Sequence, residues 1–94
     1  MEKIKNLERI LKALANQRRL AIIKILSKEK ELDVDEISEL ISLSFKATSK
    51  HLAILRQLDI VDRRQVKLNM YYRLSNNLPK VVKLLLNIIS NSRE

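Results

Sequence analysis

The sequence predicts a small, mainly α-helical domain carrying one β-hairpin, and three observations predict it. Apolar residues recur at helical spacing along most of the 94-residue chain. The period changes after Leu58, where β-branched, aromatic and arginine residues fill two short segments separated by a polar break. Hydrophobic residues make up 46% of the chain, enough for a packed core rather than a disordered basic tail.

Each element follows from a local pattern. From Glu2 to Ala15, the residues Ile4, Leu7, Ile10, Leu11 and Leu14 form one stripe of an amphipathic helix. Asn16 is a good N-cap for a second helix, in which Leu20, Ile22, Ile23 and Leu26 face inward. Ser27 to Glu31 is polar and reads as a connection. Asp33, with Glu36 three positions on, has the spacing of a capping box. It starts a short helix expected to bury Val34, Ile37, Leu40 and Ile41. Ser42-Leu43-Ser44 is a turn, and Ser44 caps a helix from about Phe45 to Leu58 whose inner face is Thr48, Leu52, Leu55 and Leu58. Two short helices joined by a three-residue turn, about 34–58, are the skeleton of a helix-turn-helix.

Ile60–Lys67 and Met70–Leu74 read as the hairpin, in a region of about 60–74. Its tip has no glycine, and Asn69 is the residue expected in the left-handed region, which Asn tolerates better than most. Asn77 and Pro79 start a last helix, about 79–90. There Val81, Val82, Leu84, Leu85, Leu86, Ile88 and Ile89 cover most of the circumference. A helix apolar nearly all round requires burial on more than one side. In so small a chain, one side meets the core and the other is expected to meet a second copy, together with the first helix, about 2–15. The expected homodimer interface is Ile4, Leu7, Leu11, Val82, Leu85, Leu86 and Ile89. With no repeat and no linker, residues 1–94 read as one domain.

Composition excludes most catalytic classes. There is no Cys, so no disulfide framework, thiolate metal site or Cys nucleophile. There is no Gly, so no P-loop and no dinucleotide-binding turn. The single His rules out HExxH and three-His zinc sites, and no carboxylate is assured as its partner. No enzyme activity, cofactor or metal is expected. The first six residues lack the apolar stretch of a signal peptide, and no apolar run reaches the ~18–20 residues that span a bilayer. A cytoplasmic protein without membrane contact is expected.

The formal net charge of +8 is unevenly distributed. Residues 1–30 carry nine basic and three acidic groups, and residues 45–83 carry nine basic groups against Asp59 and Asp62. Between them, Glu31, Asp33, Asp35, Glu36 and Glu39 stand with no basic residue. Positive patches flanking an acidic block point to a polyanionic partner, of which nucleic acid is the commonest.

Against this background, Leu11-Lys-Ala-Leu-Ala-Asn-Gln-Arg-Arg-Leu20 followed by Ile23-Lys-Ile-Leu26 resembles the start of the arsenical-resistance repressor (ArsR) family of winged helix-turn-helix regulators. Leu43-Ser-Phe-Lys-Ala-Thr-Ser-Lys-His-Leu52 and Ile54-Leu-Arg56 look like that family's recognition helix. Ile60-Val-Asp-Arg-Arg64 and Met70-Tyr-Tyr-Arg-Leu74 are similar to its wing. The resemblance covers roughly residues 7–78 and implies a dimeric, sequence-specific regulator of transcription, expected to be a repressor, on a partly palindromic operator of double-stranded DNA. Such regulators often release the operator when an effector binds, and the sequence names no effector for this chain. Where the family's best-known metal site has a Cys-Val-Cys pair, this chain has Asp33 and Asp35, which cannot replace thiolate for soft ions. Asp33 reads instead as a helix cap, with Asp35 and Glu36 against the positive helix end. The zinc site that some members build between last helices has neither His nor carboxylate here.

With Thr48, Leu52 and Leu55 inward, the opposite face presents Lys46, Ala47, Ser49, Lys50 and Ala53 to the major groove. Ser49 and His51 match the family's Ser-x-His-Leu pattern. His51 reads either as a donor to DNA or as a bridge between the recognition helix and its neighbours. Phe45 reads as a base-facing residue or as packing over the turn. Arg56, Arg63, Arg64, Lys67 and Arg73 are candidate phosphate contacts, with Arg18 and Arg19 as further ones, and Arg73 pairs with Asp62 if the register allows. Of Tyr71 and Tyr72, one is expected in the core and the other near DNA. Two other readings stay open: a non-specific architectural protein, because Ala47 and Ser49 read few base edges, and a protein-interaction module using residues 31–44 or the last helix.

Overall fold

A computed structural model describes residues 1–91 as five helices and three short strands. In chain order these are α1 (Glu2–Leu14), α2 (Gln17–Lys28), β1 (Leu32–Asp33), α3 (Val34–Ile41), α4 (Phe45–Gln57), β2 (Val61–Val66), β3 (Asn69–Leu74) and α5 (Lys80–Ser90). Local capping sets three of the helix starts. Asn16 accepts from the Arg19 amide, Asp33 and Glu36 form a reciprocal capping box, and Ser44 accepts from the Ala47 amide. In the capping box both bonds, Asp33 N to Glu36 Oε1 and Glu36 N to Asp33 Oδ1, are 2.9 Å long.

The core lies where α2, α3, α4 and α5 converge on the sheet. Ile22, Ile23, Ile37, Leu52, Leu55, Ile60, Val61 and Val82 are all fully buried there, with Tyr72 beside them. The sheet order is β1-β3-β2, antiparallel throughout, with Asp62 opposite Arg73 and Arg64 opposite Tyr71. Of the two adjacent tyrosines, Tyr72 is the core residue.

Four local expectations are corrected. Helix α2 continues through Ser27 to Lys28, past the point where polar residues suggested a connection, and the Ser27 hydroxyl donates to the Lys24 carbonyl at 2.6 Å. In α3, Leu40 is 58% exposed and Ser38 takes the inward place, because Val34, Ile37, Ser38 and Ile41 complete the i, i+3, i+4, i+7 stripe. At the wing tip Lys67, not Asn69, has the positive φ, at 57°. Val66 pairs with Asn69, so Lys67 and Leu68 form a two-residue loop with its left-handed position first, as in a type II′ turn, and Asn69 belongs to the ladder. The strand β1 was not foreseen; Leu32 and Asp33 pair with Tyr72 and Tyr71 and bind the start of α3 to the hairpin.

Two helices end alike. Ser42 and Asp59 adopt φ of 54° and 59°, while Leu43 N donates to Ser38 O and Ile60 N to Leu55 O. These are Schellman closures without glycine. Among the described residues, no helix is long and apolar enough to cross a membrane.

The two apolar positions of α3 separate cleanly on stability. Ile37→Ala, at a fully buried site, is expected to cost about 2–5 kcal/mol in urea denaturation. Leu40→Ala is expected to stay within about 0.5 kcal/mol of the parent.

Candidate nucleic-acid interface

Helix α4 is fixed by its inner face. Thr48, Leu52 and Leu55 are buried, and the helix packs against α2, α3 and β2. Its other face follows from 3.6-residue geometry: Lys46, Lys50 and Ala53 are exposed, while Ala47, Ser49 and His51 are half-buried. Arg56 is exposed in the last turn of α4. Phe45, in the first turn, is 56% exposed and borders a shallow groove with Leu43 and the α3 residues Asp35 and Glu39. It therefore stands open beside the lysines rather than sealing the turn.

His51 bridges α4 to α2: its Nδ1 lies 3.3 Å from Nη1 of Arg19. Burial, followed by the charges of Arg19 and Arg18, holds its pKa below the ordinary imidazole value. Arg19 also donates from Nε to the Ala13 carbonyl at 2.7 Å, and Arg18 donates to the Ile41 carbonyl. Both arginines, expected as phosphate contacts, serve as internal tethers of helix ends.

In the wing, Arg63 and Lys67 are exposed. Arg64 is committed elsewhere, donating from Nε and Nη2 to both carboxylate oxygens of Glu31 at 2.7 Å each. This fork–fork pair crosses β3, because Glu31 immediately precedes β1 and Arg64 lies in β2. The Arg64 hydrogen bonds draw the Glu31 pKa below the usual carboxylate value, with smaller help from the charges of Arg64 and Arg73. The acidic block is thus largely consumed locally: Glu31 braces the wing and Asp33 and Glu36 cap α3, leaving Asp35 and Glu39 outward. The basic residues Lys46, Lys50, Arg56, Arg63 and Lys67 stay exposed.

The apolar end segments divide differently from the expectation. Ile4, Leu7 and Leu11 are exposed and line one shallow groove on α1 with Ala15. On α5, Leu85, Leu86 and Ile89 are half-buried against the chain's own core, and Val82 is 0% exposed. Val82 is therefore interior rather than available to a partner. Leu84 and Ile88, at 73% and 69% exposed, hold the outward face in its place.

Sequence reasoning missed Arg19 and Glu31 as organising residues. Glu31 carried one signal, an acid two residues before the N-cap of a helix in an otherwise basic chain; Arg19 carried none that distinguishes it from Arg18.

Comparison with known proteins agrees with this geometry. The family described as bacterial regulatory protein, arsR family, matches residues 16–63. The transcriptional activator HlyU of Vibrio cholerae is 41% identical over 73 residues, which span 78% of this chain and 67% of HlyU. The arsenical resistance operon repressor of Escherichia coli is 38% identical over 71 residues, 74% of this chain and 60% of the repressor. Among solved structures, the homodimeric winged helix-turn-helix DNA-binding domain Mb0332 of Mycobacterium bovis superposes with a TM-score of 0.78 at 27% identity, over 94% of this chain and 78% of that one.

The Glu31–Arg64 brace is testable by pH. A carboxylate whose folded pKa is depressed stabilises fully above its unfolded value and loses that contribution as pH falls through the folded one. At pH 7, Glu31→Gln is expected to loosen the amides of β2 and the wing tip in NMR relaxation while α4 is unchanged. The difference from the parent should vanish well below pH 4.5, where Glu31 of the parent is itself protonated.

Proposed function

Because the chain belongs to the bacterial arsR family of regulatory proteins, we propose that residues 1–94 act as one unit that dimerises and represses transcription from a partly palindromic operator. It is a transcriptional regulator with a winged helix-turn-helix DNA-binding domain. The observation that carries the finer reading is the outer face of α4. Lys46 and Lys50 flank the short side chains of Ala47, Ser49 and Ala53, so the helix backbone can enter a major groove deeply. In this reading Lys46 and Lys50 donate to guanine edges or phosphates and Ala47 meets a thymine methyl. Ser49 and His51 complete the groove face, and Arg56, Arg63 and Lys67 neutralise phosphates. Arg64 contributes by holding the wing as well as by its charge. The role is binding rather than catalysis, exercised in the cytoplasm.

Dimerisation is supported by two unpaired apolar surfaces, Ile4, Leu7 and Leu11 on α1 and Leu84 and Ile88 on α5. Leu85, Leu86 and Ile89 are the half-buried margin of the second. A dimer also supplies the two-fold symmetry that a palindromic operator mirrors. Relatives carry both signs of regulation in their names, and occlusion of a promoter by the bound dimer is the simpler act for a chain with this architecture.

Duplex selection from a random pool tests the reading. One preferred duplex should bind roughly 10³-fold or more tightly than random competitor. Affinity should fall steeply with salt as phosphate counterions are released. Equal binding to all duplexes would favour the architectural reading. Lys46→Glu with Lys50→Glu should abolish binding; function persisting in that variant would favour the protein-interaction reading. A reporter under the selected operator, repressed by the intact chain and released by the double variant, decides the sign. Separately, Leu7→Glu with Ile88→Glu should convert a sedimenting dimer to a monomer.

A further inference from the structure

Arg19 joins three elements from one side chain. It stands in the first turn of α2, its own amide donates to Asn16 Oδ1 at 3.1 Å, its Nε donates to the last turn of α1 at Ala13 O, and its Nη1 meets His51 on α4. A guanidinium has donors only. In the contact with Arg19, Nδ1 of His51 must therefore be the acceptor, so the ring hydrogen is on Nε2. We propose that Arg19 is a positioning residue for His51, pinning the imidazole by Nδ1 so that Nε2–H is offered in a fixed direction to the backbone of bound duplex. This rests on the DNA-binding reading above.

Three observations carry it. His51 lies one helical turn beyond Ala47 and beside Lys50, on the flank of the face assigned to the groove, and is half-buried, so part of the ring remains accessible. The charged groups acting on it are Arg19 and Arg18 of α2, and no carboxylate is among them. From α1, the Ala13 carbonyl, which the guanidinium already occupies, faces the site, and the cations Arg9 and Lys12 line the same shallow groove as Arg19. The imidazole is thus kept neutral, and acts as an oriented donor instead of a point charge. A neutral donor fixes register and orientation on a phosphate without adding to the salt-dependent attraction that the lysines supply. Because Arg19 also closes the end of α1, whose outer face is apolar and unpaired, the direction of the His51 donor is coupled to the seating of that helix.

His51 is the only histidine in the chain, so its nitrogen resonances are unambiguous. In the unmodified protein, ¹⁵N NMR should show the Nε2–H tautomer at pH 7.5 and a titration midpoint below 6.5. An Nδ1–H ring, or a midpoint at or above 6.5, overturns the proposal. Substitution then separates the two ring nitrogens, since a glutamine amide nitrogen reaches the Nε2 position and an asparagine amide the Nδ1 position. His51→Gln should hold the selected duplex within about threefold of the parent, and His51→Asn should lose about tenfold. The reverse order would mean that the Arg19 contact alone matters, and overturns the duplex role. In Arg19→Gln the His51 midpoint should rise toward 6.5, because one of the two cationic charges that lower it is gone, and duplex binding should tighten more steeply than in the parent as pH falls from 7.5 to 6; a parent-like profile overturns it. A parent chain that binds no duplex at all would sink the DNA-binding reading and the duplex half of this one, while the tautomer and midpoint report separately on the Arg19–His51 contact.

Discussion

The complete burial of Leu52 and Leu55 is the constraint on which the rest depends. Each contributes about 1.5–3 kcal/mol by leaving water, and together with Thr48 they fix the rotation of α4 about its axis. Rotation decides which residues face out. Once the inner stripe is seated against α2, α3 and β2, Lys46 and Lys50 have no alternative to solvent. Thr48 and Ser38 are buried on two helices that pack together here, with hydroxyls that find no partner among the described residues, an arrangement that costs free energy.

The absence of glycine gives the backbone an unusual economy. Left-handed conformations still occur, at Ser42, Asp59 and Lys67, and each costs roughly 1 kcal/mol that glycine would have spared. Two of these close the helices of the helix-turn-helix and the third turns the wing. The strain is therefore concentrated at the boundaries of the elements that present charge, where rigid termination sets the direction of the chain.

Charge is partitioned by the same economy. Acidic residues are spent close to home, on a cap and on the Arg64 brace, and the basic groups on α4 and at the wing tip stay exposed to solvent. Two arginines go the other way: Arg18 and Arg19 bind carbonyls at the ends of α3 and α1, where a cation also meets the negative helix terminus favourably. Net charge alone would have counted all of these arginines as equivalent.

The sequence by itself determined the helices, their caps and the inner face of α4, because those depend on hydrogen bonds and stripes between residues three to four apart. It therefore also determined that Lys46 and Lys50 lie away from Leu52, with Ala47 and Ser49 on the flanks of that outer face. Tertiary structure decided what depends on partners distant along the chain. The pairing of Val66 with Asn69 put the left-handed residue at Lys67. The addition of β1 to the sheet brought Glu31 to Arg64, 33 positions away. The packing of α5 on α2 drew Val82 inward and left Leu84 and Ile88 outside, a choice that a helix apolar on every side leaves undetermined. Whether an arginine meets solvent or a carbonyl is set by where another helix happens to end, and no local period records that.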